Sequence, residues 1–211
     1  MIYKILFVIM ICIIGDMSFA ETFDLLSTNE QIKVKFIPQN EKQANIVIEN
    51  NTDKPVSIRL PRSFAAVPVL AQAVGAGFNN GGIQPFNNGV GFNNGGIQQP
   101  QRVAGGFAST NEIHIKGNGK KTIQVNTLCV DYGAPIPNPR ITYELVNIDF
   151  VSSDSRLYSV IDMMTELTID QKSAQILAWH INSKISIDSL VKTGEISIDQ
   201  AQLVNSYVSQ L

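Results

Sequence analysis

Near Ser153 the hydrophobic period of this chain changes from two to 3.6, and that switch limits the fold more than any other feature. Before it, apolar and polar residues alternate in short runs at 31–37, 44–49, 56–60, 111–116 and 121–127, the signature of half-buried strands. The cluster 50–55 (Asn-Asn-Thr-Asp-Lys-Pro) separates two of these runs. Asn and Asp tolerate positive φ and Pro fixes its own, so a hairpin joining 44–49 to 56–60 is expected. The three prolines within 133–140 remove ladder donors and predict a rigid extended loop; 141–148 reads as a final strand. After Ser153, Leu157, Val160, Ile161, Met164 and Leu167 recur at helical spacing. Thr168-Ile169-Asp170-Gln171 and Ser197-Ile198-Asp199-Gln200 fit capping boxes that open two helices, with a shorter helix from about Ser186 ending near Gly194. Strands followed by helices predict an α+β fold: an antiparallel β-sandwich-like region at 21–152, of about six or seven strands, then a small helical subdomain at 153–211.

One stretch breaks the alternation. Gly77-Phe78-Asn79-Asn80-Gly81-Gly82-Ile83-Gln84 recurs unchanged at 91–98, with a partial copy at 85–90 between them. Glycine-rich backbone loses much entropy on ordering, and few large side chains offset it. Residues 73–105 therefore read as a repeat insertion dispensable for folding. Its competing reading is a self-association or ligand patch with Phe78, Phe86 and Phe92 as evenly spaced contacts.

The first 20 residues read as a signal peptide. An apolar run of about eleven residues, 5–15, is too short to span a bilayer, and Ser18-Phe19-Ala20 suits cleavage after Ala20. The expected location is secreted, periplasmic or cell-surface, with no membrane span after cleavage. A net charge of −2 gives no electrostatic footprint for nucleic acid. Expected partners are an unknown surface protein or matrix ligand.

Loss of Cys12 with the signal leaves Cys129 as the single mature cysteine. A lone thiol in such a protein is buried, reactive or intermolecular. Cys129 ends a strand-like run in Leu128-Cys129-Val130-Asp131, and Gln175-Ile176-Leu177-Ala178-Trp179-His180 lies on a helix downstream. A thiol and a glutamine carboxamide held in contact can condense to an internal thioester with loss of ammonia, proximity being the driver. Trp179, one turn beyond Gln175, would shield such a bond, and Asp131 or His180 would move protons.

Leu128-Cys129-Val130-Asp131 and Gln175 to Trp179 resemble the two motifs of Cys-Gln thioester domains in bacterial surface adhesins. Residues 129–140 and 175–190 are also similar to a related group of uncharacterised secreted bacterial proteins, in which a Pro-rich, Arg-ended loop follows the cysteine and an Ala/Gln-rich helix ends in Trp-His. The 46 positions separating Cys129 from Gln175 are fewer than in the adhesin domains. The resemblance implies a non-enzymatic binding or adhesion module with covalent attachment through Cys129 and Gln175.

The plainer reading makes Cys129 a buried inert thiol, Gln175 a packing residue, Trp179 core, and Arg140 the partner of a nearby carboxylate. A cysteine-dependent hydrolase built on Cys129 and His180 is the competing enzyme class, although no nucleophile-elbow motif is present. A purely structural envelope protein is the third reading. Two histidines and one mature cysteine offer no zinc set, and no phosphate-binding loop appears, so no metal or cofactor is expected.

Overall fold

The computed structural model describes residues 21–27, 29–69, 100–108 and 112–211. The expected signal peptide and the repeated octapeptides, with Phe78, Phe86 and Phe92, lie outside the described residues. Among the described residues nine strands come first: β1 (Glu21–Asp24), β2 (Ile32–Pro38), β3 (Gln43–Asn50), β4 (Val56–Arg59), β5 (Ser63–Pro68), β6 (Val103–Gly106), β7 (Glu112–Ile115), β8 (Lys120–Cys129) and β9 (Tyr143–Val146). A 3₁₀ turn at Ile148–Phe150 then leads to four helices: α1 (Arg156–Thr165), α2 (Gln171–Asn182), α3 (Ile187–Lys192) and α4 (Ile198–Val208). The chain is thus β-rich with C-terminal helices, an α+β fold.

Six strands hydrogen-bond in the order β2-β3-β8-β6-β5-β9, and the single pair Phe36↔Tyr143 returns β9 to β2 and closes the ring. The remaining three form a sheet in the order β1-β4-β7. Inward residues of both sheets, among them Ile32, Phe36, Ile46, Ile58, Phe64 and Ile115, share one hydrophobic core. Not all pairing is antiparallel: β1 runs parallel to β4, because the β2–β3 hairpin intervenes before the chain comes back beside β1.

The expected hairpin across 50–55 does not form. Its two flanking strands belong to different sheets, and the hairpin is instead β2–β3, where Asn40 Oδ1 accepts from the N–H groups of Lys42 and Gln43. The 50–55 segment is an arch between sheets, organised by Asn50, which is only 2% exposed. Its Nδ2 donates to the carbonyls of Lys54 (2.8 Å) and Lys116 (3.0 Å), and its Oδ1 accepts from Thr52 N and Oγ1. A carboxamide suits an arch because it supplies the donor and acceptor that the departing strand no longer provides.

The helices cover the outer side of β5, β6 and the C-terminal end of β8. Ala65, Ala104, Leu128 and Val130 from the strands join Leu157, Ile161, Leu177, Ile181 and Val204 in a second core. Burying an aliphatic side chain of this size contributes about 1.5–3 kcal/mol. Helix α1 stops at Thr165, and Leu167 leaves the apolar stripe the sequence assigned it. It takes the left-handed conformation (φ 58°) as the residue past the helix end, 82% exposed. The capping box at 168–171 is also corrected: Asp170, not Thr168, caps α2 by accepting from Ser173 N. Ser186 and Ser197 cap α3 and α4.

The repeat insertion ends earlier than its assigned boundary at 105. Val103 to Gly106 form β6, fully buried between β5 and β8. Low side-chain content made this strand look like loop, yet the small residues are what its position requires. A Cβ on Gly106 would lie 2.3 Å from the Arg62 carbonyl oxygen and 2.6 Å from Ile161 Cγ2. Gly106→Ala is therefore expected to cost about 1–3 kcal/mol, lowering the melting temperature by roughly 2–4 °C per kcal/mol in a calorimetric comparison with wild type.

Candidate functional site

The site is built on the C-terminal end of β8. Side chains alternate along a strand, and here the alternation is fixed at both ends. Val125 belongs to the core between the sheets, whereas Leu128 and Val130 belong to the helical core. Cys129 therefore shares the inward side with Val125 and Thr127, opposite the face that α2 covers. The thiol is buried, and its sulfur lies 3.7 Å from the Glu41 carbonyl oxygen, inside the β2–β3 turn.

On one side, β8 outruns its neighbour. Pairing with β3 stops at Gln43↔Asn126, and Thr127 N reaches the Lys42 carbonyl. Past that point the main chain of β8 has no strand beside it, and α2 fills the gap with side chains. Gln171 Nε2 donates to the carbonyls of Lys42 (2.7 Å) and Thr127 (3.0 Å). One turn on, Gln175 makes a closed pair with residue 129: Cys129 N donates to Oε1 at 2.9 Å, and Nε2 donates to the Cys129 carbonyl at 2.6 Å. Asn182 Nδ2 and Ser183 Oγ both donate to the Val130 carbonyl at 3.0 Å, and Ser183 Oγ accepts from Tyr132 N. Positions 171, 175 and 182 fall on one face of a 3.6-residue helix, so one face of α2 does the work of a missing strand.

The other side of β8 is completed in the same way by Gln101, which is 3% exposed. Its Oε1 accepts from Asp131 N and its Nε2 donates to the Asp131 carbonyl, both at 2.9 Å. Arg102 grips the Asp131 carboxylate, with Nε on Oδ2 at 2.9 Å and Nη2 on Oδ1. Tyr143 OH donates to the Gln101 carbonyl at 3.1 Å.

The electrostatics follow from this enclosure. Burial pushes the Cys129 thiol up to about 12, and the nearby charges of Glu41 and Asp131 act in the same direction. Burial likewise raises the Tyr143 phenol to about 12. A thiol held that high carries almost no thiolate at neutral pH, and thiolate is the nucleophile.

Sequence-predicted residues thus meet in part. Cys129 and Gln175 are in direct contact, but through the backbone of the cysteine. Asp131 is held by Arg102, not by Arg140, which is exposed and makes no ion pair among the described residues. His180 bonds through Nδ1 to the Ile185 carbonyl at 2.8 Å, and no hydrogen bond joins it to Cys129. Trp179 is half-buried and packs edge-on against Tyr132, ring centroids 5.3 Å apart. Gln101, Arg102 and Gln171 were not anticipated. The first two sit in the assigned insertion, and Gln171 was read as a cap. The only available signal was the four-residue spacing of Gln171 and Gln175.

Two open clefts, about 350 and 410 Å³, lie along α3 and α4 and beside Leu167; neither is lined by Cys129 or Gln175. Among the described residues, no His, Cys, Asp and Glu side chains gather as a metal site, and no helix is long and apolar enough to cross a membrane. Comparisons with protein-family models, curated proteins and solved structures give no match.

Two measurements probe the site. Gln175→Leu strands a buried N–H and C=O of Cys129 and is expected to cost about 1–3 kcal/mol per group left unpaired in urea unfolding. Gln175→Glu does not rescue it, since an ionised carboxylate cannot donate to the carbonyl. For the thiol, the folded pKa near 12 exceeds an unfolded value of about 8.5. Stability from keeping it protonated is full below about pH 8.5 and is lost as pH rises toward 12. Native protein should resist iodoacetamide at pH 8, while the urea-unfolded chain reacts.

Proposed function

We propose that this chain is a secreted, non-enzymatic binding module in which Cys129 and Gln175 lock the helical subdomain onto the β region. One observation carries the reading: the Gln175 carboxamide spends both its donor and its acceptor on the Cys129 main chain. The groups around it are equally committed, Asp131 to Arg102 and His180 to Ile185. A hydrolase needs a nucleophile within reach of its base, and these side chains are engaged elsewhere. The core shared by the two sheets favours a sandwich-like scaffold, whose rigid surfaces then serve for recognition.

A covalent version of the module has one point in its favour, the reach of Gln175 to residue 129. It would require the carboxamide to leave the main chain and the sulfur to meet its carbon from the other face of β8. Intact mass under non-reducing, amine-free conditions separates the two. The non-covalent module is expected at its full sequence mass, whereas a thioester would weigh about 17 Da less through loss of ammonia and would take up methylamine at Gln175. A hydrolase screen comparing wild type with Cys129→Ala should show no cysteine-dependent turnover. A deficit in mass, or activity lost on that substitution, overturns this reading.

A further inference from the structure

The net charge of −2 conceals an uneven distribution. Outward positions of β2, β3 and β8 fall in register, placing Lys33 opposite Glu49, and Glu49 opposite Lys120. Lys35 lies two residues along β2 from Lys33. Three ammonium groups therefore surround one carboxylate, with Glu49 3.2 Å from Lys120 Nζ and 3.7 Å from Lys35 Nζ. The lysines are exposed, Lys35 by 48% and Lys120 by 59% of the side chain. A hydrogen bond from Lys120, aided by the charges of Lys35 and Lys33, holds the Glu49 carboxyl below its ordinary range, so it stays ionised and leaves a cationic excess. The helical segment 153–211, by contrast, carries seven acidic residues against four lysines and arginines.

We propose that the outer face of β2, β3 and β8 binds an acidic polysaccharide, through Lys33, Lys35 and Lys120. This rests on the binding-module reading and names its ligand class. Strand geometry puts Lys33 and Lys35 about 7 Å apart along β2, and Lys33 and Lys120 about 10 Å apart across the sheet. Spaced point charges of this kind suit carboxylates or sulfates distributed along a chain. Between and beyond them the outward positions are Ile37, Asn45, Val47, Thr122 and Gln124; Val47 is only 7% exposed, and the amides of Asn45 and Gln124 and the hydroxyl of Thr122 suit sugar hydroxyls. No aromatic residue stands at an outward position of these strands, so unpaired bases find nothing to stack on. Among the described residues the large exposed apolar side chains, Val69, Ile136, Leu167, Ile198 and Leu203, all lie elsewhere, so these strands offer no apolar surface for entering a lipid layer.

The test uses the mature chain and immobilised polygalacturonate and dextran sulfate, with uncharged dextran as the matched control. Binding to both anionic polymers but not to dextran is expected, weakening as salt shortens the reach of the charges. Joint Lys33→Gln, Lys35→Gln and Lys120→Gln should weaken it about tenfold or more, while Lys172→Gln with Lys192→Gln on the helices leaves it unchanged. Glu49→Gln should tighten it a few fold, an effect that misfolding cannot mimic. Equal binding to dextran, no binding to either polymer, indifference to the triple substitution, or a preference for duplex DNA or phosphatidylserine vesicles overturns the proposal. Failure here leaves the module reading intact if the mass is full and no cysteine-dependent turnover exists; a mass deficit or such turnover defeats that reading whatever the polymers do.

Discussion

The joint between the two halves of this protein depends on unpaired backbone. Strand β8 continues past the end of β3, and a strand edge buried without partners loses about 1–3 kcal/mol for each polar group left bare. Gln171, Gln175, Asn182 and Ser183 meet the need from α2, while Gln101 meets it from the segment entering β6. Because a carboxamide carries one donor side and one acceptor side, it can replace a peptide group in a ladder. The helical subdomain is consequently held by direction-specific bonds as well as by the apolar contact of Leu128 and Val130 with Leu177 and Ile181. Hydrophobic contact alone would let a helix slide along the barrel wall; paired amides at residue 129 fix its register.

The same device recurs at Asn50, where the chain leaves one sheet for the other. There too a buried carboxamide bridges main-chain groups that no strand can reach. Some of the amides are structural, placed where regular pairing stops. The aromatic and aliphatic core between the sheets, with Phe36 edge-on to Phe64 and tilted against Tyr143, completes the ring at its single-pair seam. Apolar packing closes the β region, and amide pairing joins what packing cannot orient.

Much of the fold was legible because period and burial coincide. Residues 31–37, 44–49, 56–60 and 121–127 alternate and form strands; 157–164 shows helical spacing and forms α1. The errors arose where local pattern and tertiary position disagree. A polar turn between two strands reads as a hairpin, but nothing local tells whether the strands share a sheet, so the arch at Asn50 was invisible. Val103-Ala104-Gly105-Gly106 lacks strand character because its neighbours, Phe64 and α1, leave no room for side chains. Gln171 matched a capping template three residues after Thr168, while its actual partners, Lys42 and Thr127, are distant in sequence. At the candidate site the pairing of residues 129 and 175 could be read from motif alone. The direction of the thiol could not, since it depends on which face of β8 the helices cover.

That direction has a consequence for where function can reside. An exposed strand end next to a helix would present a thiol to incoming molecules; here the inward face of β8 presents it to the Glu41 carbonyl, beneath a buried tyrosine and glutamine. Most polar groups of the interior are occupied with one another, although among the described residues Thr127 Oγ1 and Trp179 Nε1 are buried without a hydrogen-bond partner. The surface is organised differently. Lys33, Lys35 and Lys120 crowd a single carboxylate on a face that the helices leave open, and like charges held close on a rigid sheet repel one another unless something anionic joins them. Glu49 relieves part of that repulsion, which is why it stays ionised, but one carboxylate cannot neutralise three ammonium groups. The residual field extends over roughly a Debye length, about 8–10 Å at moderate salt, outward from the face. The interior thus holds the sheet rigid and the helices fixed, and the uncompensated charge lies on the outward face of the same strands.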